Sequence, residues 1–316
     1  MKKYTLLAVS IALGLSACNS DSETNDTAQV SFDVSDAPVD AANAVLVCFD
    51  SVELVGNGLP PQNFNVGDSD SAVPANDLCL DETGNVIPGT VGIDLLTLQG
   101  ADSAALVQNA EVPAGNYGQL RLNFVSQGSY VELTDGSRQP LDIPSDQLRL
   151  DGVTLTANQS FNYTLEFDLR RALVAPPGLP NYLLKPRGLR LVDNASVGHL
   201  DGEIAEMLLI ENECSVAPAD NEEAVAAVYL FEGQDVAIED MFSNSDEVSP
   251  YASISVFYDG VSQYPLSIGF IEAGQYTLGL TCDTNDDPEE ETELTFIHAQ
   301  NVTIEQGQTL EVVIGE

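Results

Sequence analysis

Asp283, Asn285 and Asp287 alternate along an acidic stretch that runs to Glu291 directly after Cys282, and oxygen donors at that spacing suit a hard cation such as Ca2+. The stretch is not an EF-hand, since Pro288 stands where that loop needs glycine and Leu294 where it needs a closing glutamate. Its plain alternative is a solvated hairpin tip. Hydrolysis by an activated serine needs a base, and the chain offers only His199 and His298. Neither has a recognisable serine partner and no G-x-S-x-G elbow occurs, so no catalytic residue is assigned. Two isolated histidines and four widely spaced cysteines give no zinc cluster. Fifty Asp and Glu guarantee close carboxylate pairs by number alone, so glycoside hydrolysis has no signal without geometry. There is no Trp for a sugar-stacking platform, although ten Tyr can substitute. No phosphate-cradling loop or dinucleotide fingerprint is present, which leaves Ca2+ at Asp283, Asn285 and Asp287 as the one cofactor to consider.

Cys18 carries a different chemistry. Lys2 and Lys3 precede an apolar run from Leu6 to Leu15 that is too short to span a bilayer, and Leu15-Ser16-Ala17-Cys18 closes it. Small residues directly before a thiol resemble the lipobox of bacterial lipoproteins, which implies removal of residues 1–17 and acylation of Cys18. Two or three acyl chains, at about 0.8 kcal/mol per buried CH2, hold a protein on a membrane durably. Asn19, rather than Asp, after the acylated cysteine leans toward the outer membrane. Residues 18–28 are polar up to Ala28 and read as a flexible tether.

Cleavage at that point leaves 316 − 17 = 299 residues, more than one hydrophobic core usually organises, so two domains are expected. It also leaves 8 basic against 50 acidic residues, a balance of −42. That acidity favours solubility and excludes nucleic acid, whose phosphates need basic patches. Every remaining Arg and Lys lies between Arg121 and Arg190, and none follows His199. The charge step, together with the linker-like Asn194-Ala195-Ser196-Val197-Gly198, puts the domains at 29–193 and 199–316. Cys48, Cys79, Cys214 and Cys282 allow three pairings, and the boundary favours Cys48 with Cys79 and Cys214 with Cys282 in an oxidising compartment.

Alternation of apolar residues dominates what the tether carries. Val30, Phe32 and Val34, then Val45, Val47 and Phe49, repeat at period two, as do segments around Leu120, Val131, Val153 and Leu165. Asp135-Gly136, Asp151-Gly152 and Asn158-Gln159 separate them as turns. The later part continues with Val228 to Phe231, Ile254 to Tyr258, Tyr276 to Cys282, Leu294 to Ile297 and Leu310 to Ile314. One helix is expected over Leu95 to Val107 and a helical turn near Ile238 to Phe242. Val112-Pro113-Ala114-Gly115-Asn116-Tyr117 and Ile271-Glu272-Ala273-Gly274-Gln275-Tyr276 repeat one pattern, in which Gly turns the chain and the Tyr hydroxyl caps exposed backbone. Such a turn recurs in prealbumin-like sandwiches. The fold expected is all-β, two tandem β-sandwich (prealbumin/transthyretin-like) domains.

The strand Val30 to Ser35 running into Asp36-Ala37-Pro38, then Ala114-Gly115-Asn116-Tyr117, Leu165-Glu166-Phe167-Asp168 and Leu184-Lys185-Pro186-Arg187, resemble the landmarks of a bacterial lipoprotein family called domain of unknown function 4382, over about residues 29–193. Glu166 departs from the second Asp that members often carry in the Asp-Phe-Asp strand. The segment after His199 resembles carboxypeptidase-regulatory or transthyretin-like modules. The family implies a β-sandwich and no catalytic residue. The expected function is a lipid-anchored, non-enzymatic binding or surface-assembly module of the outer membrane, with the membrane as one partner and an envelope or extracellular glycan or protein as the other. Its rivals are a carboxylate-dependent hydrolase of extracellular polysaccharide and a calcium-dependent structural adhesin.

Overall fold

The computed structural model describes residues 26–37, 42–68, 71–243, 249–284 and 294–315. The chain is all-β. The first half carries β1 (Thr27–Ala37), β2 (Ala42–Gly56), β3 (Gln62–Asn65), β4 (Val91–Asp94), β5 (Ala104–Pro113), β6 (Gly115–Phe124) and β7 (Tyr130–Leu133). It continues with β8 (Arg138–Asp142), β9 (Gln147–Leu155), β10 (Ser160–Asp168), a single helical turn α1 (Leu169–Ala172), β11 (Leu173–Val174), β12 (Tyr182–Leu184) and β13 (Leu189–Asp193). The second half holds β14 (Val197–Ile204), α2 (Glu206–Glu211), β15 (Ala224–Glu232), β16 (Ala252–Phe257), β17 (Pro265–Glu272), β18 (Gly274–Thr281), β19 (Phe296–Ile304) and β20 (Thr309–Ile314).

The first half pairs a four-stranded sheet, β13-β10-β1-β5, with a nine-stranded one, β11-β12-β8-β7-β2-β6-β9, to which β3 and β4 add through β2. Their inner faces enclose one core. Val30, Phe32 and Val34 of β1 and Leu165 and Phe167 of β10 meet Val47, Phe49, Val52 and Leu54 of β2 there. Burying each such side chain contributes about 1.5–3 kcal/mol. The second half pairs β17-β14-β20 with β16-β15-β18-β19 around its own core of Leu200, Val228, Leu230, Ile254, Leu278 and Ile304. Strand β15 reads as an unbroken apolar run because both its faces are covered: Val228 and Leu230 face that core, and Tyr229 and Phe231 pack with Met241 and Phe296 in another cluster.

The two halves repeat one topology. In each, the first strand lies parallel to a late one (β1 with β10, β14 with β20) and antiparallel to a third, β5 or β17. That third strand crosses to the facing sheet through the Ala-Gly-x-Tyr turn into β6 or β18. Equivalent bonds hold the two turns: Tyr117 donates its hydroxyl to the Pro113 carbonyl at 2.8 Å, and Tyr276 to the Glu272 carbonyl at 2.8 Å. The Ala114 amide donates to Asp26 O at 2.7 Å, and the Ala273 amide to Ser196 O at 2.9 Å. A six-residue likeness in the sequence thus marks a strand arrangement common to both halves, to which the first half adds further strands such as β3, β8 and β11 to β13.

Five expectations change. The tether expected over 18–28 gives way to strand β1 at Thr27, and Ala28 is buried in the first core because β1 pairs with β5 from there on. Leu95 to Val107 is not a helix: Leu95–Thr97 form one 3-10 turn, and Ala104 onward is strand β5. Gly100, at φ +62, breaks the stretch between them. Asp151-Gly152 is not a turn but lies within β9, where Gly152 leaves no room for a Cβ against the Tyr117 carbonyl. A glycine inside a strand here marks close backbone approach. Val197 and Gly198, read as linker, open β14, which leaves the link itself at Asn194 to Ser196. The run expected over Leu294 to Ile297 begins its strand at Phe296, two residues later than Leu294. The turn near Ile238 is present as Ile238–Asp240.

Both cysteine bridges form, Cys48 with Cys79 and Cys214 with Cys282, at Cα separations of 5.8 and 5.3 Å. The first ties the loop between β3 and β4 to β2, and the second ties the end of β18 to the segment after α2.

Candidate functional site

Strand alternation in β1 and β10 sends one set of residues to the core and leaves Ser35, Glu166 and Asp168 on the opposite face of their sheet, where the second half covers them. Across the seam, β15 and β16 bring Tyr229 and Ser253 into register with each other, and Ala227 with Ser255. The Asp168 carboxylate accepts from the Ser253 amide at 2.8 Å and from its hydroxyl at 2.9 and 3.0 Å. Arg170, just beyond β10 on α1, donates to Tyr229 Oη at 3.2 Å, Ser255 Oγ at 2.7 Å and the Thr284 carbonyl at 2.9 Å. Arg171 donates to the Pro250 carbonyl at 2.8 Å. Arg190, opposite Glu166 in the β10–β13 register, donates to the Tyr251 carbonyl at 2.6 Å and stacks 4.4 Å above its ring.

Burial decides the electrostatics of this seam. It pushes the Glu166 carboxyl up to about 8, against the opposing charge of Arg190, so Glu166 keeps its proton at neutral pH. It likewise raises Asp168 against Arg171, Arg190 and the Ser253 bonds, and it lowers Arg171. Glu166, Asp168 and Arg170 are 1%, 0% and 6% exposed, too enclosed to meet a substrate. Their chemistry is to join the two halves of the chain. Gly188, at φ +81, lets the chain before β13 pass Asp168, because a Cβ there would crowd the Asp168 carbonyl. A second contact is backbone against backbone: a Cβ on Gly269 of β17 would overlap the Gly100 carbonyl oxygen.

Two surfaces stay open beside the seam. On the outer face of β3, β2, β6 and β9, register lines polar side chains in rows. Asn65, Ser51, Asn123 and Gln147 form one row, and Asn63, Glu53, Arg121 and Arg149 the next. Gln119 pairs with Asp151 in a third. Asn123 donates to Ser51 Oγ at 3.0 Å and Gln147 to Asn123 Oδ1 at 2.7 Å. Arg121 donates to Gln119 at 2.8 Å and to Glu53 at 3.2 Å, and Arg149 to Gln147 at 2.8 Å. The third row runs into a groove of about 510 Å³ whose far wall is Arg190, Tyr251 and Glu272. The other surface is a cleft of about 760 Å³ on the second half, which includes Asp201, Glu203, Asp259 and Glu311. Three of these acids are already bonded within the protein: Asp201 by Ser267, Glu203 by Gln263, and Asp259 by three backbone amides.

Of the sequence landmarks, Ser35, Glu166 and Asp168 share the seam face, and Gly188, next after Arg187, packs against Asp168, whereas Ala114 to Tyr117 form the β5–β6 turn away from it. A family model described as "Domain of unknown function (DUF4382)" matches residues 27–186, just over half of the 316. The chain belongs to this family. The match begins two residues earlier and ends seven earlier than the range expected from the landmarks. The family segment stops before Arg190, so Arg190 and its partner Tyr251, with the seam serines Ser253 and Ser255, lie outside it. No curated protein matches the chain. Among solved structures, similarity is found to the Bacillus anthracis TIE protein, at 11% identity and a TM-score of 0.19 over 90% of this chain and 33% of that one. A leucine-rich repeat protein from Bacteroides thetaiotaomicron gives 9% and 0.21 over 92% and 26%. GBS52, the minor pilin of Streptococcus agalactiae, gives 11% and 0.17 over 90% and 94%. The chain thus spans about a third and a quarter of the first two.

Of the residues singled out in the sequence, Asp283 uses its carboxylate to accept from the Thr295 amide at 2.8 Å. Asn285 and Asp287 lie outside the described residues, as does Cys18. Among the described residues, no group of three or more His, Cys, Asp or Glu is placed to hold a metal ion, and no helix is long and apolar enough to cross a membrane. His199 stands in β14, where its Nδ1 accepts from the Phe270 amide at 3.2 Å, and His298 stands in β19 opposite Leu280. The seam escaped the sequence reading. Its signal was there in the confinement of cations to 121–190, which marked a boundary without revealing that the arginines reach across it.

Proposed function

We propose that this chain is a lipid-anchored, non-enzymatic binding module of the outer membrane, acylated at Cys18, tethered by the residues that precede β1 and folded as two sandwich domains that begin with β1 at Thr27 and β14 at Val197. The observation that carries the reading is the seam. A buried carboxylate and three arginines fix one half to the other, so the two sandwiches move as one body while the polar outer face of the first is left open to solvent. A polar seam of this kind holds geometry rather than turning over a substrate, and a rigid body on a tether suits presentation of a surface. The test has two arms. Metabolic labelling with palmitate should mark the native chain and fail to mark Cys18→Ser, which should leave the membrane fraction. Beads coated with the full chain should adhere to intact bacterial surfaces, while a broad glycan and peptide turnover screen should show no activity. Turnover abolished by single Asp or Glu substitutions would replace this reading with the hydrolase.

A further inference from the structure

We infer that the outer face of β3, β2, β6 and β9, with the groove at its end, binds an uncharged, hydroxyl-rich glycan chain; this rests on the surface-binding reading and names its ligand class. The register stacks planar amide, guanidinium and carboxylate groups across four adjacent strands. Strands lie about 4.8 Å apart and same-face residues within a strand about 7 Å apart, so a chain laid across the face meets a new polar group at every strand. These groups are held in place by their bonds to one another, which lowers the ordering cost of binding. Arg149 is exposed and spends only its Nε on Gln147, so its two terminal nitrogens can pair with adjacent hydroxyls.

Charge selects the kind of chain. On the face and in the groove, Arg121, Arg149 and Arg190 stand against Glu53, Asp151 and Glu272, and at the margin Asp50 and Asp68 accept from Ser51 and Asn65, so no cation is in excess. The molecule as a whole carries a formal −40, so a polyanion is repelled from it and finds no net positive patch here. A polycation is better served by the acidic cleft on the other half. What suits an amide-rich surface of mixed sign with no excess of cations is a neutral partner recognised by hydrogen bonds. The lack of Trp fits the same mode, in which a lattice of polar groups replaces ring stacking.

Affinity electrophoresis of the full chain tests this, with native gels containing dextran, laminarin or galactomannan as neutral chains and alginate as the polyanion. At least one neutral polysaccharide should retard the protein and alginate should not. Arg149→Ala and Gln119→Ala should each weaken retardation by about tenfold, while Glu203→Ala in the cleft should leave it unchanged; melting temperatures measured alongside establish that the variants fold. Absence of retardation by all three neutral chains, stronger retardation by alginate, or indifference to Arg149→Ala overturns the inference. A bead assay separates it from the reading beneath it. Adhesion to surfaces that is lost after periodate, which cleaves vicinal diols, supports the glycan; adhesion lost only after protease overturns the glycan and keeps the binding module; no adhesion to untreated surfaces removes both.

Discussion

The two halves share a strand framework and differ in charge. Once residues 1–17 are set aside, the first holds every cation of the chain and the second holds none. Where the eight cations go is instructive. Arg170, Arg171 and Arg190 bond to the second half, and Arg121 and Arg149 lie on the open face of the first. In a chain this acidic, each positive group is scarce, and most have been placed where they hold something. The second half needs no cations because it supplies acceptors: backbone carbonyls at Pro250, Tyr251 and Thr284, and hydroxyls at Tyr229 and Ser255.

The comparison breaks most sharply at Asp168. Asp168→Ala removes the acceptor for both Ser253 donors and leaves Arg171 without its nearest counter-charge, inside a region closed to water. Losing one partner of a buried charged set costs about 3–5 kcal/mol. Urea unfolding should show the single transition of the native chain separating into two as the halves uncouple, and a loss under about 1 kcal/mol would mean that the seam is ornamental. The bridges come next. Replacing Cys214 and Cys282 by Ser should cost about 2–5 kcal/mol, and replacing Cys48 and Cys79 about 0.7 kcal/mol less, because the closed segments span 68 and 31 residues. Calorimetry of the two double variants reads that order directly.

Legibility in the sequence followed the distance over which each signal acts. Period-two patterns placed Val30, Phe32 and Val34 on the core face, because strand alternation is local and one face is buried. Gly152 failed as a turn signal for the opposite reason, since what demands glycine there is the Tyr117 carbonyl on a neighbouring strand. The helix expected over Leu95 to Val107 failed similarly: its spacing allowed an apolar stripe, but pairing of β5 with β1 took the residues from Ala104 on. Seam partners such as Arg170 and Ser255 are 85 residues apart, and no spacing rule joins them. The repeat was readable only where both copies need the same turn.

Glu166 sharpens the comparison through pH. Its carboxyl sits at about 8 in the folded protein against an ordinary 4.5, so the folded state keeps a proton that the unfolded chain releases between those values. Stability from this group is therefore complete below about 4.5 and is lost as pH rises through about 8. Glu166→Gln is neutral throughout and should remove that slope, leaving the variant more stable than the native chain above pH 8 by an amount on the order of a few kcal/mol. Denaturation midpoints at pH 5, 7 and 9 measure it. A native chain whose stability is flat across that window would show Glu166 ionised and paired with Arg190 instead.

The smallest effect tests whether the halves are equivalent at the turn that revealed them. Tyr117→Phe and Tyr276→Phe each delete one hydroxyl and leave the carbonyl of Pro113 or Glu272 without its donor. Each should cost about 1 kcal/mol, the usual net value of one such bond. The rings stay buried in both variants, at 1% and 3% exposure for the native residues, so packing is little changed and the two losses should agree within about 0.5 kcal/mol. A larger loss at Tyr276 has a ready source, because its ring also meets Tyr251 at 5.3 Å, and Tyr251 carries the stacked Arg190 of the seam. In that event the second copy of the turn has been drawn into joining the halves, and combining Tyr276→Phe with Asp168→Ala should give less than the sum of their separate costs.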